Sequence, residues 1–555
     1  MGYRAGMTRW TRTLVVSSLV VMAGCPPEPT AGFLPATFPE GFGWGTAIAQ
    51  WQAEGDEGEG GPVDSNWSRW AAMHKVKGEQ TNPRGNGFHT EFQADIDRAA
   101  ALGLTQFRLS LDWARVEPQP GVYDDAELTH FEAVLDAVRA AGMEPVLTLY
   151  HWTVPPWVQN PNADAAEGFV DRIADKDPAV VDDFEGFVRE VIPRVKDRVD
   201  TYTVLNEPLT MVVVGYIDGR FPPGGVLAIE RATDFGINLM RMHARAFGVI
   251  KELDDVDADG DGAASFVGLT MTANDVYPEN PDSAQQQLAA ESMNYVYNDW
   301  VLQTLTRGVL DVDLDGDVEP ASATDPPEGD YPELANTLEF IGVQYYGPVK
   351  VKESALLNNV APLFGMPLTD VALYTGDDDQ ARPHNAMGRE ISGAGFADTL
   401  DRYARWGLPL IVTENGTTTN LRPAFGDHDP PPIPAPVFDD AQAAMYLTVH
   451  LWEVARAIAR GVDVRGYYHW TLADNFEWVE GSLQRFGAYR VDFGDPAMPR
   501  TLTTMGQAYG EIIAAGAVTE DLWGRYVLPR FPTDDTAAGL GATTSGPQVG
   551  ALPTQ

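Results

Sequence analysis

Two glutamates stand where an apolar, β-branched run breaks off: Glu207 in TVLNEP (203–208) and Glu414 in IVTENG (411–416), each beside an asparagine. A carboxylate at the end of a buried strand carries a desolvation cost, so its place there needs a reason. Chemistry supplies one. Two carboxyl groups facing each other across a sugar ring can break a glycosidic bond: one protonates the departing oxygen while the other attacks the anomeric carbon or activates water. Direct attack requires the two to stand about 5 Å apart. Surroundings divide the roles. A carboxylate held by Arg108 and by a tyrosine hydroxyl such as that of Tyr346 is expected to have a lowered pKa and stay ionised, as suits a nucleophile. Its partner, lacking that cation and feeling that negative charge, is expected to keep its proton near neutrality and serve as the acid. Asn206 is placed to hold a sugar hydroxyl, and Trp152 and Trp470 offer flat faces for stacking on a sugar.

Groups so far apart in the chain need a scaffold that aims them at one point. Eight strand-like runs, FGWGTAIAQ, QFRLSLDW, EPVLTLYHW, TYTVLNEP, SFVGLTM, LEFIGVQYY, LPLIVTENG and VRGYYHWTL, alternate with helix-like stretches. The stretches at 91–102, 128–141, 180–199 and 440–460 repeat apolar residues every three or four positions. Strands without polar alternation, separated by helices, form a parallel sheet covered on its outer face. Eight such units predict an α/β fold, a (β/α)8 TIM barrel with a single catalytic domain over 38–530. Barrel chemistry sits at the carboxyl ends of the strands. Those ends supply Gln52 and Glu54, Arg108 (inside the second run), His151, Trp152, Asn206, Glu207, Gln344, Tyr345, Tyr346, Glu414, Asn415 and Trp470. Each alone has a structural explanation; the set describes a site.

Bulk charge narrows the partners. A net charge of -42 would repel a nucleic-acid backbone or an anionic bilayer surface. The single cysteine, Cys25, excludes an intramolecular disulfide. It follows a basic opening (Arg4, Arg9, Arg12) and a short apolar stretch from Leu14 to Met22, the pattern of a signal peptide. The Met-Ala-Gly-Cys ending resembles a bacterial lipobox, which makes Cys25 the expected lipidated residue after removal of 1–24; an ordinary secretion signal with a chance cysteine is the alternative reading. Export to the bacterial cell envelope follows, with membrane contact only through that anchor. Residues 25–37 read as an extended, proline-rich tether and 531–555 as a disordered tail.

Seven motifs in one order carry a resemblance: FGWGTAIAQWQAEG (42–55), FRLSLDWARVEP (107–118), LYHW (149–152), LNEP (205–208), IGVQYYG (341–347), TENG (413–416) and HWTLADNFEWVEGSLQRFG (469–487). The chain from about Phe38 to Tyr509 resembles the glycoside hydrolase family 1 β-glycosidases. The resemblance implies Glu207 as acid/base and Glu414 as nucleophile, with net retention and no cofactor. It implies Gln52, His151, Trp152, Asn206, Tyr346, Trp470, Glu477, Trp478 and Phe486 as substrate-binding residues, and Arg108 and Tyr346 as holders of the nucleophile. The expected substrates are small β-glycosides or β-linked oligosaccharides cut from the non-reducing end, with glucose, galactose or fucose as the terminal sugar. One departure is Gln344, where the family usually has asparagine; the extra methylene is expected to alter hydrogen bonding around the nucleophile. Glu480 stands where a phosphorylated sugar would place its phosphate, so unphosphorylated substrates are expected. A non-catalytic carbohydrate-binding lipoprotein and a retaining endo-glycanase are the rival readings. The presence of both glutamates disfavours the first, and the enclosing Gln52, Glu477 and Trp478 disfavour the second.

Two acidic loops are candidate structural calcium sites: DADGDG, with Asp257, Asp259 and Asp261, and DVDLDGD, with Asp311, Asp313 and Asp315. Both begin like a calcium loop, and both lack the glutamate twelve positions along that an EF-hand requires. Plain acidic insertions are the alternative reading.

Overall fold

The computed structural model describes residues 34–166, 168–176, 178–318, 324–353, 371–374, 385–420 and 437–529. Each of the eight apolar runs forms a parallel strand, and the eight strands close into a barrel. They are β1 (Gly43–Ala47), β2 (Gln106–Ser110), β3 (Glu144–Tyr150), β4 (Thr201–Asn206), β5 (Phe266–Thr272), β6 (Phe340–Tyr345), β7 (Leu410–Asn415) and β8 (Val464–Trp470). Strands adjacent in sequence are adjacent in the ring, and β8 closes on β1 with Gly466 opposite Gly43 and Trp470 opposite Ala47. Burial on both faces explains the unbroken apolar runs: every residue of β6 and β7 is buried.

A helix follows each strand: α1 (Phe88–Ala101), α2 (Asp125–Ala140), α3 (Ala179–Val195), α4 (Ile229–Leu253), α5 (Trp300–Arg307), α6 (Gly393–Ala404), α7 (Asp440–Ala459) and α8 (Thr504–Ala515). Helix starts were set by capping residues that apolar periodicity does not register. The Asp124 carboxylate accepts from the backbone N–H groups of Ala126 and Glu127, so α2 begins three residues before the expected 128. At the other end, α3 stops at Val195, short of the expected 199, where the chain turns toward β4. On α3, Val180, Phe184, Phe187, Val188, Val191 and Ile192 are buried at three-four spacing, each worth about 1.5–3 kcal/mol for a fully covered side chain.

A Cβ on Gly45 would lie 2.3 Å from the Tyr468 ring, so glycine there makes room for the tyrosine. Arg108 on β2 is fully buried, an arrangement that is costly unless the charge is paired. Register slips occur between Thr203 and Asn206, between Val343 and Gln344, between Leu410 and Ile411, and between Val412 and Asn415. All but the one at Leu410 fall toward carboxyl ends, where a local irregularity re-aims side chains.

The ordered fold begins earlier than expected. Ala36–Thr37 pairs antiparallel with Ala517–Val518, and the Phe38 N–H donates to the Gly516 carbonyl at 3.0 Å. The tether expected to run to residue 37 therefore gives way to sheet pairing at Ala36. Cys25, the segment before it and the tail from 531 lie outside the described residues. Among the described residues, no helix is long and apolar enough to cross a membrane.

Candidate active site

Glu414 lies near the carboxyl end of β7, and both of its oxygens are held. Arg108 donates Nη1 to Oε1 at 2.5 Å, and the Tyr346 hydroxyl donates to Oε2 at 2.6 Å. The approach of β7 to β8 behind it depends on Gly416, because a Cβ there would lie 2.2 Å from the Trp470 carbonyl oxygen.

Glu207 is the first residue past β4 and sits at φ 42°, ψ 63°, the left-handed region that side-chain-bearing residues avoid. Such a conformation costs on the order of 1–3 kcal/mol and clusters at functional sites. Pro208 then opens a short helical turn, where its missing N–H is no loss. The Glu207 N–H donates to the Thr270 carbonyl at 2.9 Å. Its Oε2 accepts from the Thr210 hydroxyl at 2.8 Å, and Thr210 shares a 2.6 Å contact with the Thr272 hydroxyl. Neither threonine was among the sequence candidates. Thr210, three residues beyond Glu207 after a turn-opening proline, had a local signal; Thr272 had none.

Electrostatics separate the two acids. Burial pushes the Glu207 carboxyl up to about 7, the charge of Glu414 adds to this, and the threonine hydrogen bonds and Arg108 oppose it. This agrees with the expected protonated acid. Glu414 departs from expectation: burial raises its pKa, and the pull of Arg108 and the Tyr346 hydroxyl does not bring it below the ordinary carboxylate value. The cation offsets part of the desolvation cost instead of producing a net lowering.

Asn206, one position before Glu207, is fixed through one oxygen. Its Oδ1 accepts from Arg108 Nη2 at 2.6 Å, Gln344 Nε2 at 2.8 Å and the Thr270 hydroxyl at 3.0 Å. Gln344 shares the Asn206 oxygen with Arg108, so the expected alteration falls on the neighbour of the acid and, through Arg108, on one holder of Glu414. Trp152 donates Nε1 to the Asn206 carbonyl at 2.8 Å and packs its ring on Trp478 at 4.6 Å, so it positions these residues and has little face left to stack on a sugar.

Gln52, on the helical turn Gln50–Glu54, donates Nε2 to the Phe476 carbonyl at 3.0 Å and to Glu477 at 3.3 Å. Glu477 is pushed up to about 8, by burial first and then by the charge of Glu414. His151 lies between Trp470 and Trp478, with ring centroids 6.3 and 5.9 Å away; burial and then the charge of Arg108 hold it well below the ordinary imidazole value. Phe486 meets the Tyr346 ring edge-on at 6.2 Å. Gln52 Oε1, Gln344 Oε1 and His151 Nδ1 are buried without a hydrogen-bond partner among the described residues. Buried polar atoms left unpaired are costly, and a hydroxyl-rich ligand is suited to pair with them.

Three strand-end residues turn elsewhere. Glu54 accepts from Gln50 and lies 3.6 Å from Arg115. The Tyr345 hydroxyl donates to the Ser392 carbonyl, and Asn415 Nδ2 donates to the Tyr446 hydroxyl. Sequence reasoning also missed Arg389, a cation that feels the charge of Glu207 and whose Cβ lies 3.5 Å from the point where Gly347, beside Tyr346, would carry one. Glu480 is paired with Lys77 at 2.6 Å.

The acidic loops need one correction. Asp311, Asp313 and Asp315 converge, but Asp257 and Asp259 converge with Asp200 and not with Asp261. Asp261 instead accepts from the Ala263 N–H at 2.8 Å within its own loop.

Two carboxyls at the mouth of a parallel barrel, one clamped by arginine and tyrosine and one carrying its proton near neutrality, fit a glycoside hydrolase. The Glycosyl hydrolase family 1 model matches residues 34–517, and the chain belongs to that family. It is 26% identical to a β-galactosidase of Pyrococcus woesei, over 87% of this chain and 98% of that one. It is 30% identical to a bifunctional β-D-glucosidase/β-D-fucosidase of Bifidobacterium breve, over 82% of this chain and 94% of that one. Its fold is similar to that of a Thermotoga maritima β-glucosidase in complex with glucoimidazole, with a TM-score of 0.71 at 26% identity, covering 86% of this chain and 99% of the other.

Proposed function

We propose that the protein is a retaining, exo-acting β-glycosidase that removes terminal β-D-glucosyl residues by double displacement. β-Galactosyl and β-fucosyl residues are the alternative sugars, a reading supported by the names of the two relatives. Glu414 attacks the anomeric carbon while Glu207 gives its proton to the leaving oxygen. The resulting glycosyl-enzyme ester is then opened by a water molecule that yields a proton to Glu207, and Glu414 departs as carboxylate. The unequal holding of the two acids carries this reading: two donors on Glu414, none of them on Glu207.

Sugar hydroxyls are bound by Gln52, His151, Asn206, Glu477 and Trp478, with Trp470 as the stacking face, Phe486 against Tyr346 as a wall and Trp152 as the support of Asn206. The partnerless atoms of Gln52 and His151 support those assignments. A panel of nitrophenyl β-glycosides, run on wild type and on Glu414→Gln, tests the proposal. Turnover is expected to fall by about three orders of magnitude or more in the variant. Near-normal rates would remove the assignment.

We place the enzyme in the bacterial cell envelope, anchored by a lipid on Cys25, on the strength of the amino-terminal pattern. A labelled fatty acid that marks wild type and Cys25→Ala equally would refute this. Structural calcium is proposed for Asp311, Asp313 and Asp315 and for Asp257 and Asp259 with Asp200, two groups whose carboxylates converge. A melting temperature untouched by a calcium chelator would retire it.

A further inference from the structure

Arg389 stands in the loop between β6 and α6, on the side of the barrel mouth that the proposed sugar-binding residues leave open. Gln52, His151, Glu477 and Trp478 follow β1, β3 and β8, whereas Glu207, Tyr297 and Arg389 follow β4, β5 and β6. We propose that Arg389 binds a carboxylate carried by the leaving group, so that the enzyme favours β-glycosides whose departing portion is an acid. The proposal rests on the β-glycosidase reading above and concerns what lies beyond the scissile bond.

The loop holds this arginine by its backbone. Asn385 Oδ1 accepts from the N–H groups of Met387 and Arg389 at 2.9 and 3.1 Å, and the Asn385 N–H donates to the Arg389 carbonyl at 2.9 Å. Asn385 Nδ2 in turn donates to the hydroxyl of Thr417, three residues past Glu414, at 3.0 Å. On the other flank Gly347, next to Tyr346, lets the loop come close: a Cβ there would sit 2.7 Å from the Glu390 carbonyl oxygen. Arg389 is therefore rooted beside both the nucleophile's segment and that of its tyrosine. Its acidic neighbour Glu390 is engaged, with Oε2 accepting from the Tyr277 hydroxyl at 2.9 Å.

The guanidinium itself is uncommitted. Among the described residues its side chain has neither a hydrogen bond nor an ion pair, although the chain holds 80 acidic residues against 38 basic ones. It is half-buried, and burial is the largest influence lowering its pKa. An arginine so placed has lost part of its water without gaining an acceptor, and an anion arriving there offsets that cost. Arg220, a cation within its electrostatic reach, is already paired with Asp218 at 2.6 Å. Arg389 feels the charge of Glu207 without forming an ion pair with it, and the cation that weighs on Glu207 is Arg108. The leaving oxygen takes its proton from Glu207, so substituents attached to that oxygen fall within reach of Arg389. Tyr297, also half-buried and within range of the Arg389 charge, has no hydrogen bond on its hydroxyl among the described residues and offers a second donor. The planar guanidinium fork matches the two oxygens of a carboxylate, which separates an acid from a neutral amide of the same shape. Because a net charge of -42 repels anions at long range, the preference comes from contact and not from steering.

The test uses two matched pairs of β-glycosides of the best-cleaved sugar: para-carboxyphenyl against para-carbamoylphenyl, and a disaccharide ending in a uronic acid against its neutral counterpart. Wild type, Arg389→Gln and Arg389→Lys are compared at one ionic strength by the ratio of kcat/KM for acid over neutral substrate, which cancels intrinsic leaving-group reactivity. Arg389→Gln is expected to lower the ratio by about 10–100-fold. Arg389→Lys should lower it less, since it keeps the charge and loses the fork. A fall confined to the phenyl pair identifies an aromatic acid, and one confined to the disaccharides a uronic acid; either upholds the carboxylate. An unchanged ratio in Arg389→Gln would overturn the proposal. So would equal losses on acid and neutral substrates with a shifted basic limb of the pH profile, which would mean that Arg389 acts only on Glu207. If the variants fail to fold, inhibition of wild type decides, and para-hydroxybenzamide inhibiting as well as para-hydroxybenzoate refutes the site. A wild type that cleaves no nitrophenyl β-glycoside sinks the β-glycosidase reading and this proposal with it, whereas cleavage with an unchanged ratio sinks this proposal alone.

Discussion

The two halves of the barrel mouth treat the same residue type differently. On the β6–β7 side, Glu414 is clamped by a guanidinium and a phenol. On the β4–β5 side, Glu207 is held by a threonine hydroxyl and by its own backbone, in a left-handed conformation. Burial raises both carboxyls, so depth in the protein does not distinguish them. The distinction comes from what each carboxylate accepts: a cation stabilises the ionised form at one, while the neighbour's negative charge favours the proton at the other.

The sharpest way to break this asymmetry is Glu207→Gln. Hydrolysis of glycosides with poor leaving groups is expected to fall by about 10²–10⁴-fold, the range for a lost general acid. Substrates whose leaving group needs no proton should retain a much faster first step, seen as a burst of released phenol. Equal losses for both substrate classes would contradict the acid role.

Tyr346→Phe gives a smaller effect on the other side. Loss of the donor to Glu414 removes one of the influences pulling its pKa down. The acidic limb of the kcat/KM profile should then move to higher pH, by about one unit or less, with about a tenfold loss of activity. A basic limb that moved instead would point to Glu207.

The smallest effect is on stability. Glu207, Glu477 and Glu54 are raised from 4.5 to about 7, 8 and 7, so the fold favours their protonated forms. Their contribution is fully present below about 4.5 and is lost as pH rises through about 7 to 8. Surface carboxylates with lowered values, such as Glu185 and Glu252, titrate below that window. At constant ionic strength, thermal unfolding at pH 5.5 should therefore come a few degrees above that at pH 8. An unfolding temperature that climbs toward pH 8 would show that the buried histidines His151, His243, His450 and His469, whose lowered values cost stability as pH falls below about 6.5, outweigh these carboxyls.

The barrel was legible because strands covered on both faces leave uninterrupted apolar runs, and eight of them are hard to mistake. Helix boundaries were less so, since Asp124 sets the start of α2 through a local hydrogen bond that apolar spacing does not record. In the site, Arg108, Tyr346 and the two glutamates announced themselves by type and place. The threonines on Glu207 did not, because a hydroxyl gains its role from the positive φ that turns the carboxyl toward it, and no residue type encodes that angle. Net pKa at Glu414 also escaped: counting charged partners is possible from sequence, but weighing them against depth requires coordinates.

The pairing of Ala36–Thr37 with Ala517–Val518 fixes where the chain enters the barrel. Strand β1 starts six residues later, at Gly43, and runs toward the catalytic rim, so the entry point belongs to the opposite pole.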